Sequence, residues 1–297
     1  MTMNSFCPSA PSASTVPPAT ALPPGASDCH VHVYAPRHAS PAHAPAHPLA
    51  GQDHHQLFAL HRRWGIERCV VVQSTAYGVD NHWVAQALQA GGGQYVGVAL
   101  ARADAPDAHL QQLAAAHFRA VRFNFMHHLP PAASLDDAIA MTPRLADAGL
   151  HLQLHCESDL LAQLAAPLAR SAVPVVIDHM GRVAARLGAA HPHFQALRAL
   201  LRQPNVFVKL SGIDRIDPTP PYAAGIALAR QLLAEFPGQC LWGTDWPHPN
   251  HSHAPDDAQL IHSLAAIAPS AAALQDLLVD TPARLYQFPP LTEPSTR

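Results

Sequence analysis

The chain has 297 residues, nearly half of them apolar, and a formal charge of −3 with its 22 histidines neutral. That length suits one large domain with extensions, and the weakly negative balance argues against a nucleic-acid-binding surface. No apolar run reaches the roughly 18 residues of a membrane span, so a cytoplasmic protein without membrane contact is expected. Residues 1–26 are rich in Ala, Pro, Ser and Thr and show neither the basic n-region nor the apolar h-region of a signal peptide. They read as a disordered or loosely packed arm. From there, short β-rich apolar runs alternate with stretches of helical patterning. The runs are Asp28–Tyr34, Arg68–Gln73, Gln94–Leu100, Ala120–Phe125, Leu150–Cys156, Pro174–Asp178, Asn205–Leu210 and Gln239–Thr244. The helical stretches are His82–Ala90, Asp107–His117, Leu135–Ala148, Asp159–Arg170, His193–Leu201, Ala223–Phe236 and Ala271–Val279.

Strands that alternate with helices imply a parallel sheet with right-handed crossovers, and eight of them imply closure. The expected fold is a single (β/α)8 TIM barrel over residues 27–290, followed by a tail at 291–297. An open doubly wound sheet would want a glycine-rich phosphate loop after an early strand; Gly91-Gly92-Gly93 instead precedes a strand. The long excursion between the first two strands, rich in His, Pro and Ala over 38–61, reads as a surface loop over the active-site face. The five cysteines form no CxxC pair and read as free, mostly buried thiols.

In such barrels the chemistry sits at the C-terminal ends of the strands. The first strand carries His30 and His32, two apart and so on one side. The fourth carries Arg122 and Asn124, the fifth ends at His155, the sixth at His179, the seventh gives Lys209 and Ser211, and the eighth ends at Asp245. An HxH pair alone is weak in so histidine-rich a chain. It recurs at His191/His193 and His251/His253, both read as surface. Four histidines and an aspartate at four strand ends are hard to explain as packing, because burying such groups without partners is unfavourable.

Several blocks resemble the 2-pyrone-4,6-dicarboxylate lactonase family of the amidohydrolase superfamily. They are Pro24-Gly25 leading into Asp28 to His32, Gly78 to Asn81, Arg122 to Phe125, Ile177 to Arg182, Asp214-Arg215 with Asp217-Pro218, Leu241 to Asn250, and Pro282 with Arg284 to Tyr286. The likeness runs from about Pro23 to Tyr286. It implies hydrolysis of a small anionic lactone, 2-pyrone-4,6-dicarboxylate or a close analogue, in aromatic-compound catabolism. Asp245 would activate water, while His30, His32 and His179 polarise the carbonyl. Arg122 and Arg215 would hold carboxylates in two-bond forks, with Thr75, His128, His155, Arg182, His248 and Asn250 around the substrate.

Two departures qualify that reading. The family has a Lys-Arg pair where this chain has His127-His128, which removes a carboxylate-binding arginine. The family also has a tyrosine where this chain has His155, and is taken to need no cofactor. His155 with His30, His32 and Asp245 recreates a three-histidine, one-aspartate zinc set. The alternative is therefore a zinc-dependent lactonase, for a sugar lactone or sulfomuconolactone, or a decarboxylase of the same superfamily. Two further alternatives are a histidine-rich metal-binding protein and an inactive barrel that only binds an aromatic acid. The expected partner is a small anionic lactone or dicarboxylate, and the expected assembly a monomer or small homo-oligomer.

Overall fold

The computed structural model describes residues 21–37, 39, 47–129, 133–250 and 255–291. Eight parallel strands pair in chain order. They are β1 (Ser27–Val31), β2 (Arg68–Val72), β3 (Tyr95–Leu100), β4 (Phe118–Phe125), β5 (His151–Cys156), β6 (Val175–Ile177), β7 (Val206–Lys209) and β8 (Cys240–Leu241). Backbone bonds from Cys29 N to Trp242 O (2.8 Å), Asp245 N to His30 O (2.8 Å) and His32 N to Trp246 O (2.7 Å) bring the eighth strand against the first. The expected barrel is the observed one.

Both faces of each strand are covered, which is why runs such as Val70-Val71-Val72 are apolar without alternation. Alternate residues nevertheless belong to different cores. Val71, Val121 and Val175 pack outward with the helices. Val70, Val72, Val96, Val98, Ala120, Val176 and Phe207 pack with Leu285, Tyr286 and Phe288 from the C-terminal segment. The period of two then carries this second, inward file upward from Ala120 to Arg122, from His151 to Gln153 and His155, from Val176 to Asp178, and from Phe207 to Lys209. The file is apolar at the floor and polar at the mouth. In β1 the register against β2 shifts between Asp28 and Val31. Such an irregularity re-aims side chains, and His30 follows inward-packed Cys29 into the interior.

Three expectations need correction. The excursion after β1 is not only loop: His54–Trp64 is a helix, capped by Asp53, whose carboxylate accepts from His55 N and Gln56 N, and ended by left-handed Gly65. It buries Leu57, Leu60, His61 and Trp64, and His61 bonds the Tyr95 hydroxyl at 2.8 Å. Residues 40–46 of that excursion lie outside the described residues. Three long helices are segmented. Leu135–Ala140 and Thr142–Asp147 meet at Met141 just before Pro143. A 3-10 segment Ser158–Gln163 precedes Ala165–Ala169, which contains Pro167. Ala271–Gln275 runs through a π turn, Asp276–Asp280, into Thr281–Tyr286. Proline removes an amide donor and crowds the preceding turn, which accounts for the first two interruptions. Lastly, Gly25 and Ala26, at the end of the expected arm, are buried; residues 1–20 are outside the described set.

Cys29, Cys69, Cys156 and Cys240 are buried and free, as expected, and Cys7 is not described. His191 and His193, expected at the surface, are half-buried: His191 Nδ1 accepts from His193 N, and His193 Nδ1 meets Ser158 Oγ at 2.9 Å. His251 and His253 lie outside the described residues. No helix among the described residues is long and apolar enough to cross a membrane.

Candidate active site

A cavity of about 280 Å³ opens at the C-terminal ends of the strands. Its base is Asp245, which follows β8 in left-handed backbone (φ 65°) and is wholly buried. Three imidazole nitrogens surround Asp245 Oδ1: His32 Nε2 at 3.5 Å, His30 Nε2 at 3.8 Å and His179 Nε2 at 3.9 Å. Oδ2 accepts a hydrogen bond from Arg215 Nε, and Arg215 Nη2 donates to Pro249 O at 2.8 Å. The arginine expected to grip a substrate carboxylate instead spends two donors on holding Asp245 and its loop.

Two glycines let these elements approach. A Cβ at Gly243 would meet the His30 backbone nitrogen at 2.6 Å, so β8 can sit against β1 only with glycine there. Gly212 has φ 68°, and a Cβ on it would lie 2.8 Å from His179 Nδ1. Asp28 staples the same junction: Oδ1 accepts from the His30 and Thr244 amides at 3.1 Å each, and Oδ2 from Thr244 Oγ1 at 2.6 Å.

Beneath the cavity lies a buried charge network whose contacts the residue patterns did not reveal. Asp178 Oδ2 accepts from Arg122 Nε at 2.8 Å and Gln153 Nε2 at 3.1 Å. Its Oδ1 lies 3.4 Å from His30 Nδ1 and 3.7 Å from Lys209 Nζ, and Lys209 donates to Gln153 Oε1 at 2.8 Å. Burial would raise the Asp178 pKa, but Arg122, His30 and Lys209 together hold it well below the usual carboxylate range. Burial, reinforced by Lys209, pushes His30 down to about 3, so its ring is neutral. Burial likewise holds His155 and His179 well below the ordinary histidine value. His30 is fully buried and lies one layer below the cavity surface.

The outer partner of each ring decides what its inner nitrogen can do. His32 Nδ1 meets the Val72 carbonyl at 2.7 Å. A carbonyl only accepts, so Nδ1 carries a proton, and in the uncharged ring Nε2 presents a lone pair. His155 Nδ1 faces Asn124 Oδ1 at 3.1 Å in the same sense. His179 Nδ1 faces the Ser211 hydroxyl at 3.0 Å, which can donate or accept, so its Nε2 can carry the proton. The inner nitrogens of His30 and His155 are buried without a hydrogen-bond partner among the described residues. A histidine that gives its outer N–H to a carboxylate or carbonyl and turns a bare nitrogen inward is the arrangement of a metal ligand. Tetrahedral zinc with bonds near 2.0–2.1 Å separates its ligand atoms by roughly 3.4 Å, close to the three distances to Asp245 Oδ1. His30, His179 and Asp245 offer ligand atoms all within 4.8 Å of one another. His155 is not in that group; its ring sits 5.4 Å from that of His179.

The cavity wall includes Thr75, Arg122, His155 and Arg182, with exposed His128 and Asn250 at its lip. Arg182 is half-buried in left-handed backbone (φ 57°) and makes no hydrogen bond or ion pair with any described residue. His248 is different. It does not line the cavity but is buried against Asp257, Nε2 to Oδ1 at 2.8 Å. Burial alone would lower its pKa, and that bond raises it instead. Its partner lies nine residues along the chain, and only an Asp-rich turn after the eighth strand could have suggested it.

Comparisons with known proteins agree with this fold. A family model described as amidohydrolase matches residues 27–288. A 2-pyrone-4,6-dicarboxylate hydrolase of Comamonas testosteroni is 38% identical over 278 residues, covering 89% of this chain and 91% of its own. A 4-sulfomuconolactone hydrolase of Rhizobium radiobacter is 32% identical over 283 residues, covering 93% and 94%. A solved structure from Pseudomonas putida, assigned provisionally as a 2-pyrone-4,6-dicarboxylic acid hydrolase, superposes with a TM-score of 0.81 at 30% identity, covering 91% of this chain and all of its own. The chain belongs to the amidohydrolase family.

Proposed function

We propose that the protein opens a small anionic lactone, 2-pyrone-4,6-dicarboxylate or a close analogue, by adding water across the ring ester. The observation that carries this reading is one cavity that joins a buried carboxylate ringed by imidazoles to an arginine, Arg182, that makes no hydrogen bond or ion pair with any described residue. Arg182 offers a planar fork to a substrate carboxylate, and Arg122, anchored through Nε, lines the same cavity. Asp245 takes a proton from water as the water oxygen bonds to the carbonyl carbon. His179, with its proton on Nε2, donates to the carbonyl oxygen as that oxygen gains charge. The ring C–O bond then breaks, and the proton held by Asp245 passes to the departing oxygen. His32 gives its Nδ1 proton to the Val72 carbonyl and turns Nε2 toward Asp245; with that ring uncharged, Nε2 presents a lone pair and does not polarise the carbonyl. His30 supports the layer above it rather than touching substrate.

That lone pair favours a second reading in which the same residues hold zinc. His30, His32, His179 and Asp245 are the residues that would bind it, in place of the expected set containing His155. Bound there, zinc would act as a Lewis acid and ease deprotonation of water. In both readings Arg215 fixes Asp245 and Arg182 orients the anion.

Turnover in 18O-labelled water is the direct test. Ring opening of 2-pyrone-4,6-dicarboxylate with one labelled oxygen in the new carboxylate is the expected outcome; an intact pyrone, or opening without label, removes the hydrolytic reading. Metal content before and after treatment with a strong chelator separates the two forms of it.

A further inference from the structure

Beside the cavity at Asp245 lies a second hollow of about 470 Å³. The two share a wall that includes Thr75, Arg122, Asn124 and His128. Their chemistry differs. The cavity at Asp245 is lined by three arginines, Arg122, Arg182 and Arg215. The annex has only Arg122, on the shared wall, with its Nε already on Asp178. Among the described residues no carboxylate lines it. Its remaining walls are largely apolar, with Leu100, Ala101 and Phe123 besides Tyr34. The Tyr34 hydroxyl is taken up by Ser74 Oγ at 3.1 Å, and its ring stacks on His47 at 4.5 Å. Burial lowers the His47 pKa, so that ring stays uncharged at neutral pH. Val79 stands at the rim, 52% exposed, one of two large apolar side chains so exposed among the described residues.

We propose that this annex is a substrate subsite for an apolar group, so that the preferred lactone carries one carboxylate and an alkyl or aryl substituent rather than a second carboxylate. The proposal rests on the lactonase reading for what happens at Asp245. A carboxylate entering the annex would give up its hydration for apolar walls. An alkyl group gains there, by about fourfold in affinity for each methylene fully removed from water.

Unreactive planar acids test the subsite without turnover. Calorimetric titration of the full chain would compare benzoate, 3- and 4-butylbenzoate, and benzene-1,3-dicarboxylate. The better butylbenzoate should bind at least tenfold more tightly than benzoate, with the dicarboxylate within about threefold of benzoate. A tenfold gain for the second carboxylate, or none for the butyl group, overturns the proposal. Val79→Arg, at an exposed position where folding is not at stake, should reduce the butyl-to-benzoate ratio at least threefold and raise the dicarboxylate's. Ala76→Phe, filling the annex from its wall, should also reduce the butyl ratio. Unchanged ratios in both variants overturn it too. Butyl selectivity without opening of any lactone would leave the subsite standing and remove the lactonase reading; lactone opening without butyl selectivity would do the reverse.

Discussion

Strand β5 carries a histidine at each end, and the two have opposite fates. Both belong to the inward file, four residues apart, and each has a buried Nε2 with no hydrogen-bond partner among the described residues. At the floor, His151 lies 5.1 Å from Tyr286, and burial, Lys209 and Arg119 push its pKa down to about 3. At the mouth, burial and Arg122 hold His155 well below the usual range. Desolvation acts on both rings. The floor, however, is closed by Leu285, Tyr286 and Phe288, whereas His155 faces a cavity shared with Asp245, His179 and Arg182. One strand therefore packs into a closed floor at one end and lines the cavity at the other, the two ends that barrels of this kind keep distinct.

Substitutions at the two ends should separate their contributions. The largest effect belongs to the mouth. Asp245→Asn should lower kcat by roughly 10²- to 10⁴-fold, the usual contribution of a general base. Asparagine tolerates the left-handed backbone there, so circular dichroism and the melting temperature should hold. Next comes the layer between mouth and floor. Asp178→Ala leaves Arg122 and Lys209 buried without their shared carboxylate and should reduce stability by about 3–5 kcal/mol in urea unfolding. A loss under about 1 kcal/mol, on the scale of an exposed ion pair, would mean that water already reaches the network.

The layers below the mouth should show themselves in acid. His30 and His151 titrate near 6.5 as free side chains and near 3 in the fold. Between those values the unfolded chain binds more protons, so their contribution is complete above about pH 6.5 and drains away toward pH 3. Each histidine adds up to about 1.4 kcal/mol per pH unit to that slope. His151→Gln should remove one histidine's share, seen in urea unfolding from pH 7 to 4, while kcat stays unchanged. An unaltered slope would place His151 in contact with solvent. The smallest effect is at the lip: His128→Arg, on an exposed side chain, should tighten binding of a dicarboxylate by no more than about fivefold, the range of a surface ion pair. It should leave a monocarboxylate unaffected.

The parts of the site that could be read from residues alone are those tied to strand periodicity. His32, His179 and Asp245 end apolar runs, and a period of two brings them to one mouth without knowledge of the fold's details. Arg122 was legible for the same reason, although its bond to Asp178 was not. Asp178, Gln153 and Lys209 share one network only because neighbouring strands set them side by side, and no spacing along the chain encodes that contact. The bond of Arg215 to Asp245 was hidden for a related cause: it depends on contact with a residue thirty positions on in the chain. The helix His54–Trp64 was obscured by its histidines, which diluted the apolar signal. Its Asp53 cap and the spacing of Leu57, Leu60, His61 and Trp64 were nevertheless present. The annex has no linear signature, since its walls come from segments as far apart as Tyr34 and Leu129.

The central claim is that Asp245 drives water into a lactone held at this cavity. Its most direct test follows the ultraviolet absorbance of 2-pyrone-4,6-dicarboxylate mixed with the wild-type chain and with Asp245→Asn, each assayed as purified and after chelation with and without added zinc. The account predicts rapid loss of the pyrone signal with the wild-type chain in at least one of these conditions, and none above background with the variant. Equal rates for both proteins, or a stable signal with the wild-type chain in every condition, would contradict it.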